Sequence, residues 1–375
     1  MALSPGHFLK NFSEVVSGHL MKTTERQPSG FTLIEMLVTI SVIAILTALL
    51  LPAVQSAREA ARHIKCSSNF ASVGIAVQNY VSNDSHFPPG NIHWYGYSAT
   101  CGPCVIASYS MFTRILPYLE QKPLYDSMNF NVSVREPRDP EMDRNDQGEL
   151  ANLTARMVSL DVLLCPSDTM PQTRWSAGTN IRSNSGSLPH TYSFENSRLA
   201  GPATVIHVYI DGPNNARHTS SLSSVTDGLS NTVLASEKLR GDDSGTIFDS
   251  RRHYLKLNQP FDYRISSTDF MKECLDPNAE FELFNPKSGL TWLFGSPTTT
   301  MYNHVSGINT RHGDCIADGS TVYVNMTSAR SQHPGGVNVG MADGSVRFVR
   351  NGVELQVWRA LGSKAGGEAF SNDDY

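Results

Sequence analysis

The sequence is poor in charge. Lys, Arg, Asp and Glu make up 17% of its 375 residues, against about 25% in an ordinary soluble chain. The balance is slightly acidic, with 30 basic and 35 acidic residues and a net charge of −5. A nucleic-acid binder needs a dense basic face, so nucleic acid is not an expected partner. Cysteine is scarce: Cys66, Cys101, Cys104, Cys165, Cys274 and Cys315 are all there are. That is too few for a disulfide-built scaffold, although six thiols can pair fully in any of 15 ways. No internal repeat of roughly 20–50 residues is present, which excludes a solenoid or propeller. Acidic disorder is excluded by 33 aromatic residues spread along the chain.

Long hydrophobic runs are lacking too, with one exception. From Phe31 to Leu51 the chain reads FTLIEMLVTISVIAILTALLL, 21 residues with Glu35 as the single charge. That length crosses the roughly 30 Å hydrocarbon of a bilayer. An ordinary secretory signal has a basic start, a short apolar core and a cleavage site behind it. Here Ser29-Gly30 precedes the run and a carboxylate sits in its first turns. Such a charge costs roughly 2.5–3.5 kcal/mol in a membrane helix and calls for a partner.

Gly30-Phe31-Thr32-Leu33-Ile34-Glu35 followed by an uncharged run resembles the cleavage and methylation motif of type IV prepilins and type II secretion pseudopilins. The resemblance implies that a prepilin peptidase cuts between Gly30 and Phe31 and methylates the new Phe31 amine. It also implies that Glu35, fifth in the mature chain, neutralises the amino terminus of a neighbouring subunit. Opposite charges attract far more strongly in an apolar bundle than in water. Residues 1–30 are then a leader. MKTTERQPSG, from Met21, has the usual leader character, and translation is expected to start there.

Beyond Leu51 the pattern stays helical to Asn83-Asp84, with an expected kink at Pro52. Val54, Ala57, Ala61, Ile64, Phe70, Val73, Val77 and Tyr80 mark an expected apolar stripe. The segment from Phe87 to Tyr97 is expected to be an aromatic loop, with two short helices in 111–128 broken at Pro117 and Pro123. Strands are expected near 192–195, 204–210 and 232–237. Residues 241–330 are rich in turn formers and read as a variable insertion. Val337, Val339 and Met341, then Asp343-Gly344, then Val346 to Val349 predict a hairpin. A short amphipathic helix carrying Trp358 follows.

His333, nine residues, then Asp343-Gly344 resembles the C-terminal H-x9-DG motif of a prepilin-like family abundant in planctomycete bacteria. AREAARHIKCSSNFASVGIAVQNY (57–80), FPPG (87–90), LPYLEQKPLYDSMNF (116–130), LLCPSD (163–168) and DGLSNTVLASEK (227–238) resemble it as well. The implied fold is α+β and pilin-like: a long N-terminal helix, membrane-spanning in its first half, packed on an antiparallel β-sheet head with inserted loops and short helices. The implied division is leader 1–30, transmembrane and stem helix 31–84, extracytoplasmic head 85–362 and flexible tail 363–375. Cys66 and Cys165 both lie in family-like segments and are expected to pair.

Other candidate sites read as structure. Cys101-x-x-Cys104 lacks the strand-to-helix setting of a redox pair and cannot complete a four-ligand zinc site, so a local disulfide is expected. His304, His312, Asp314 and Asp318 have no tight zinc spacing. Asp314 and Asp318 are weak candidates for a calcium loop, against a reading as solvated turns. His333 and Asp343 with Ser345 or Ser331 have no nucleophile elbow, so no hydrolase is expected. No cofactor is expected. The sequence thus points to a non-enzymatic prepilin-like subunit, anchored by a single span in the bacterial cytoplasmic membrane with its head outside. Its expected partners are prepilin peptidase, other pilin or pseudopilin subunits and membrane lipid. The rival is a surface protein that binds polysaccharide or another ligand and keeps the stem only as an anchor.

Overall fold

The structure is a computed structural model. It describes residues 30–98, 102–105, 109–132, 134, 152–173, 176–189, 198–203, 205–209, 220–243, 248–260, 265–285, 288–318 and 324–369. The chain forms two compact units, residues 1–55 and 56–375.

The first unit contains the start of α1 (Leu33–Asp84), a helix that runs through Pro52. Its apolar part has a mean hydropathy of 2.6 and is long and apolar enough to cross a membrane. Thr32 and Glu35 form a reciprocal cap. The Thr32 amide and hydroxyl both donate to Glu35 Oε2 at 2.9 Å, and the Glu35 amide donates to Thr32 Oγ1 at 3.3 Å. This satisfies amides that a helix start leaves orphaned.

In the second unit, α1 buries Cys66, Asn69, Phe70, Val73, Gly74, Ala76, Val77 and Val81. The expected stripe is right from Phe70 to Val77 and wrong before it: Val54 and Ile64 are exposed. The step from Ile64 to Phe70 is six residues, about 600° of helix, so the two halves of that stripe lie on different faces. The buried face packs with Phe87, Tyr109, Met111, Phe112, Ile115, Trp292 and Leu293 in the largest apolar cluster. α2 (Met111–Ile115), a 3-10 turn and α3 (Lys122–Asp126) follow the expected breaks at the prolines, and α4 (Leu153–Met157) comes next.

The central sheet has the order β12-β11-β5-β3-β8, with β3 (Ile181–Asn184), β5 (Val233–Glu237), β8 (Met301–Tyr302), β11 (Gly336–Met341) and β12 (Val346–Arg350). Four of its strands are antiparallel, and β8 joins β3 in parallel, so the sheet is mixed rather than antiparallel throughout. Val337, Val339 and Met341 of β11 pack with Trp358 and Leu361 of the last helix, Leu355–Gly362. The alternate positions meet α1: Asn338 lies against His63, and Gly340 against Phe70.

Two expectations need correcting here. β1 (Asn91–Ser98) stands where an aromatic loop is expected, pairing with β2 (Gly102–Val105) and with β4 (Val205–Tyr209). Residues 241–330, expected to be rich in turns, carry regular structure. They supply a sheet of order β10-β9-β6-β7, from β6 (Tyr254–Pro260), β7 (Phe281–Asn285), β9 (Asp314–Asp318) and β10 (Asn325–Met326). A helix over Ser267–Leu275 covers it, and Cys274 is bonded to Cys315 of β9. The expected strand at 192–195 lies outside the described residues.

The start of the expected flexible tail is also fastened. Ser363 Oγ donates to Asp227 at 3.1 Å, and the Gly366 and Gly367 amides donate to the same carboxylate at 2.7 and 2.9 Å. Lys364 Nζ donates to Ser220 Oγ at 3.0 Å.

Candidate functional site

β11 leaves a loop that begins with His333 and ends in the turn at Asp343-Gly344. Both ends meet α1, fifteen residues apart on that helix, at Glu59 and Gly74.

At the first end the Ser331 hydroxyl accepts from the His333 amide at 3.1 Å and donates to Gly336 O at 2.7 Å, which sets the loop. The buried imidazole then bridges two carboxylates. Nδ1 is 2.9 Å from Glu59 Oε1 on α1, and Nε2 is 3.2 Å from Glu237 Oε1 on β5. Nε2 is also 3.4 Å from Cys165 Sγ. Glu59 is held by Arg62 and by the Ser167 hydroxyl. Glu237 accepts the Asn338 amide at 2.9 Å and its side-chain NH2 at 3.0 Å. Beside them Cys66 of α1 is bonded to Cys165, Cα–Cα 5.0 Å, closing a separation of 99 residues. In the chain-entropy model a closed loop of that size contributes about 4.7 kcal/mol.

Burial works against a charged His333, but Glu237 and then Glu59 outweigh it and raise its pKa above 6.5. Burial likewise opposes the Glu59 carboxylate, yet His333, Arg62 and Ser167 bring its pKa below 4.5. A raised histidine contributes stability that is full below the unfolded value and is lost as pH climbs through the folded one. A lowered glutamate contributes above its unfolded value and loses it on acidification. The clasp is therefore strongest between pH 4.5 and 6.5. Thermal melts at a series of pH values should show Tm falling above that window, and a His333→Gln variant should lack that fall.

At the second end Asp343 Oδ1 accepts from the Ser345 amide at 2.8 Å and its hydroxyl at 2.6 Å, closing the turn. Gly344 has φ +88°, which glycine adopts freely. Its backbone lies on Gly74 of α1, where a Cβ would sit 2.7 Å from Gly344 O. Gln78 Nε2 donates to Ala342 O at 2.6 Å. The motif is thus a two-point clasp of strand on helix.

That geometry leaves no catalytic pair in it. His333 and Asp343 stand at opposite ends of β11, Ser345 serves Asp343, and Ser331 presents its oxygen to the His333 amide rather than to the ring. The calcium reading of Asp314 is overturned as well. Its carboxylate is fully buried and paired to Lys238 on one oxygen and to Arg330, 3.0 Å away, on the other. Burial alone would raise the Asp314 pKa, but the two cations lower it and keep it charged. Its two oxygens are thus already engaged by Lys238 and Arg330, in place of the oxygen cage that calcium takes. The Asp318 side chain lies outside the described residues, as do Cys101 and the side chains of Cys104, His93, Trp94, Tyr95 and Tyr97. His304 is a core residue, stacked on Trp358 at 3.8 Å, with burial bringing its pKa to about 3. His312 turns Nδ1 to Gly313 O.

Glu59, Glu237 and Asn338 escape the sequence reading, and so do the Cys274–Cys315 bond and the Lys238–Asp314–Arg330 group. The sequence signal available for the first two is their position inside the family-like segments 57–80 and 227–238.

Comparison with known families supports the motif reading. A model described as a prokaryotic N-terminal methylation motif matches residues 26–51. A model described as a protein of unknown function, DUF1559, matches residues 55–356 and so covers the clasp entirely. No curated protein and no solved structure is detectably similar. The chain therefore belongs to the DUF1559 family, and with the methylation motif in front of that domain it is a prepilin- or pseudopilin-like protein.

Proposed function

We propose that this chain is a structural subunit, cut between Gly30 and Phe31 by a prepilin peptidase, N-methylated at Phe31 and assembled in a type IV pilus-like or type II secretion-like filament. The observation that carries this reading is the coincidence of the methylation motif at 26–51 with one uncharged helical run behind Glu35. Residues 1–30 are then the leader, 31–84 the transmembrane and stem helix, and the remainder an extracytoplasmic head. Glu35 supplies the charge that meets the Phe31 ammonium of a neighbour, and Met36 to Leu51 supply the filament core. The protein is a substrate of enzymes rather than an enzyme.

A second reading has its own observation. An open polar cavity of about 360 Å³ is lined by Arg251, Asn309, Arg311, Gln332, His333 and Asn351. It suits a head that binds a polar or anionic ligand, with the stem as anchor. A Glu35→Ala variant separates the two. Under the first reading the variant is found in the membrane but not in sheared filament fractions. Under the second its distribution matches the wild type, and that result overturns the subunit reading.

A further inference from the structure

The clasp brings together more than an ion pair. One ligand-type atom from each of Cys66, Cys165, Glu237 and His333 lies within 4.8 Å of the others. We propose that in its dithiol form the chain binds one divalent ion of the zinc class through these four residues.

The spacing suits a tetrahedral ion. Bonds of about 2.0–2.3 Å set ligand atoms about 3.3–3.8 Å apart. His333 Nε2 already stands 3.4 Å from Cys165 Sγ and 3.2 Å from Glu237 Oε1. Opening the disulfide lets the sulfurs part from about 2 Å to about 3.8 Å, the separation of two thiolates on one zinc. Cys165 is half-buried, while the other three are buried.

The surroundings also suit it. The ring nitrogen turned away from the sulfur, Nδ1, faces the Glu59 carboxylate at 2.9 Å. A carboxylate behind a histidine fixes the tautomer that presents Nε2 to a metal. Asn338 holds Glu237 in the same way, through its amide and its side chain. Two sulfurs, an imidazole and a carboxylate form a zinc-type donor set rather than a calcium or magnesium one.

The chemistry balances. A dithiol reductant gives two electrons and two protons to the Cys66–Cys165 bond and is itself oxidised to a disulfide. Binding the ion then releases the two thiol protons and the imidazolium proton to solvent. Oxidation by a disulfide donor reverses the sequence and expels the ion. The clasp would thus carry either a covalent or a metal cross-link between stem and head. This proposal stands apart from the filament reading, and either can fail alone.

The test uses the full chain in detergent with Cys101→Ser and Cys104→Ser, so that the C-x-x-C thiols cannot contribute. The protein is reduced with a phosphine without air, freed of reductant and titrated with cobalt(II), then zinc(II). The expected result is one cobalt per chain with thiolate charge-transfer absorption and strong tetrahedral visible bands, displaced by one zinc. Unreduced protein should give neither. Cys165→Ser and His333→Gln should abolish or shift the bands. Cys274→Ser with Cys315→Ser should leave them unchanged. Glu59→Gln, which removes no ligand, should weaken cobalt binding about 10–100-fold. Circular dichroism identifies variants that retain the native spectrum. The absence of tetrahedral cobalt from reduced protein with a native spectrum overturns the proposal. So does a signal indifferent to Cys165 and His333 in natively folded variants.

Discussion

Asp314→Asn should destabilise the head by about 3–5 kcal/mol, the usual cost of removing one member of a buried ion pair. Asp314 is fully buried and faces both Lys238 and Arg330, whose charged groups are equally buried. Arg330 has other acceptors, Thr310 O and His312 O. Lys238 otherwise lies over the Tyr254 ring, 5.6 Å from its centroid, beside Arg182. Without the carboxylate, burial and the neighbouring arginines all oppose its charge. Total stabilities are about 5–15 kcal/mol, so a loss of this size takes a large share. Chemical denaturation of the variant should show a lower midpoint with an unchanged slope. Calcium should not shift the wild-type midpoint through this residue. A calcium-dependent rise abolished by Asp314→Asn would restore the metal reading rejected above.

Gly74→Leu should cost about 3 kcal/mol or more. Glycine inside a helix is about 1 kcal/mol worse than alanine, so its presence at Gly74 goes against local preference. The reason is contact: a Cβ there would lie 2.7 Å from Gly344 O and 3.0 Å from its Cα, both backbone atoms that cannot rotate away. Overpacking typically costs about 1–3 kcal/mol, so even Gly74→Ala should be destabilising despite the propensity gained. The longer leucine must push the hairpin off the helix. Ser72, exposed on the same helix, is the control: Ser72→Ala should be neutral or slightly stabilising. Thermal melts of the three variants measure the ranking. Equal effects at Gly74 and Ser72 would mean that the turn does not dock there.

What the sequence discloses follows from how local each signal is. The Gly30–Glu35 motif and its apolar run are contiguous, and so is the Asp343-Gly344 hairpin, whose turn chemistry lies within three residues. Long-range partners leave no such trace. Glu59 looks like any charge on a solvated helix, and only the folded sheet brings His333 to within 2.9 Å of it. Asn338 and Gly340 supply the non-apolar half of the alternation of β11 and so read as a solvent face, yet α1 lies on that side. The stretch 241–330 is opaque for a related reason. Its polar residues are inside: Thr299, Thr300, Asn303 and Asp314 are all fully buried, so burial there does not follow hydrophobicity. The aromatic segment 91–98 reads as a loop partly because one of its two partners, β4, lies more than a hundred residues away.

The most direct test of the account is mass spectrometry of the amino-terminal peptide from native membranes. A peptide that begins at Phe31 and carries one N-methyl group is the predicted result, and it would show that the prepilin machinery processes the chain. An intact peptide that runs through Gly30 into Phe31 would contradict it and leave α1 as a plain anchor.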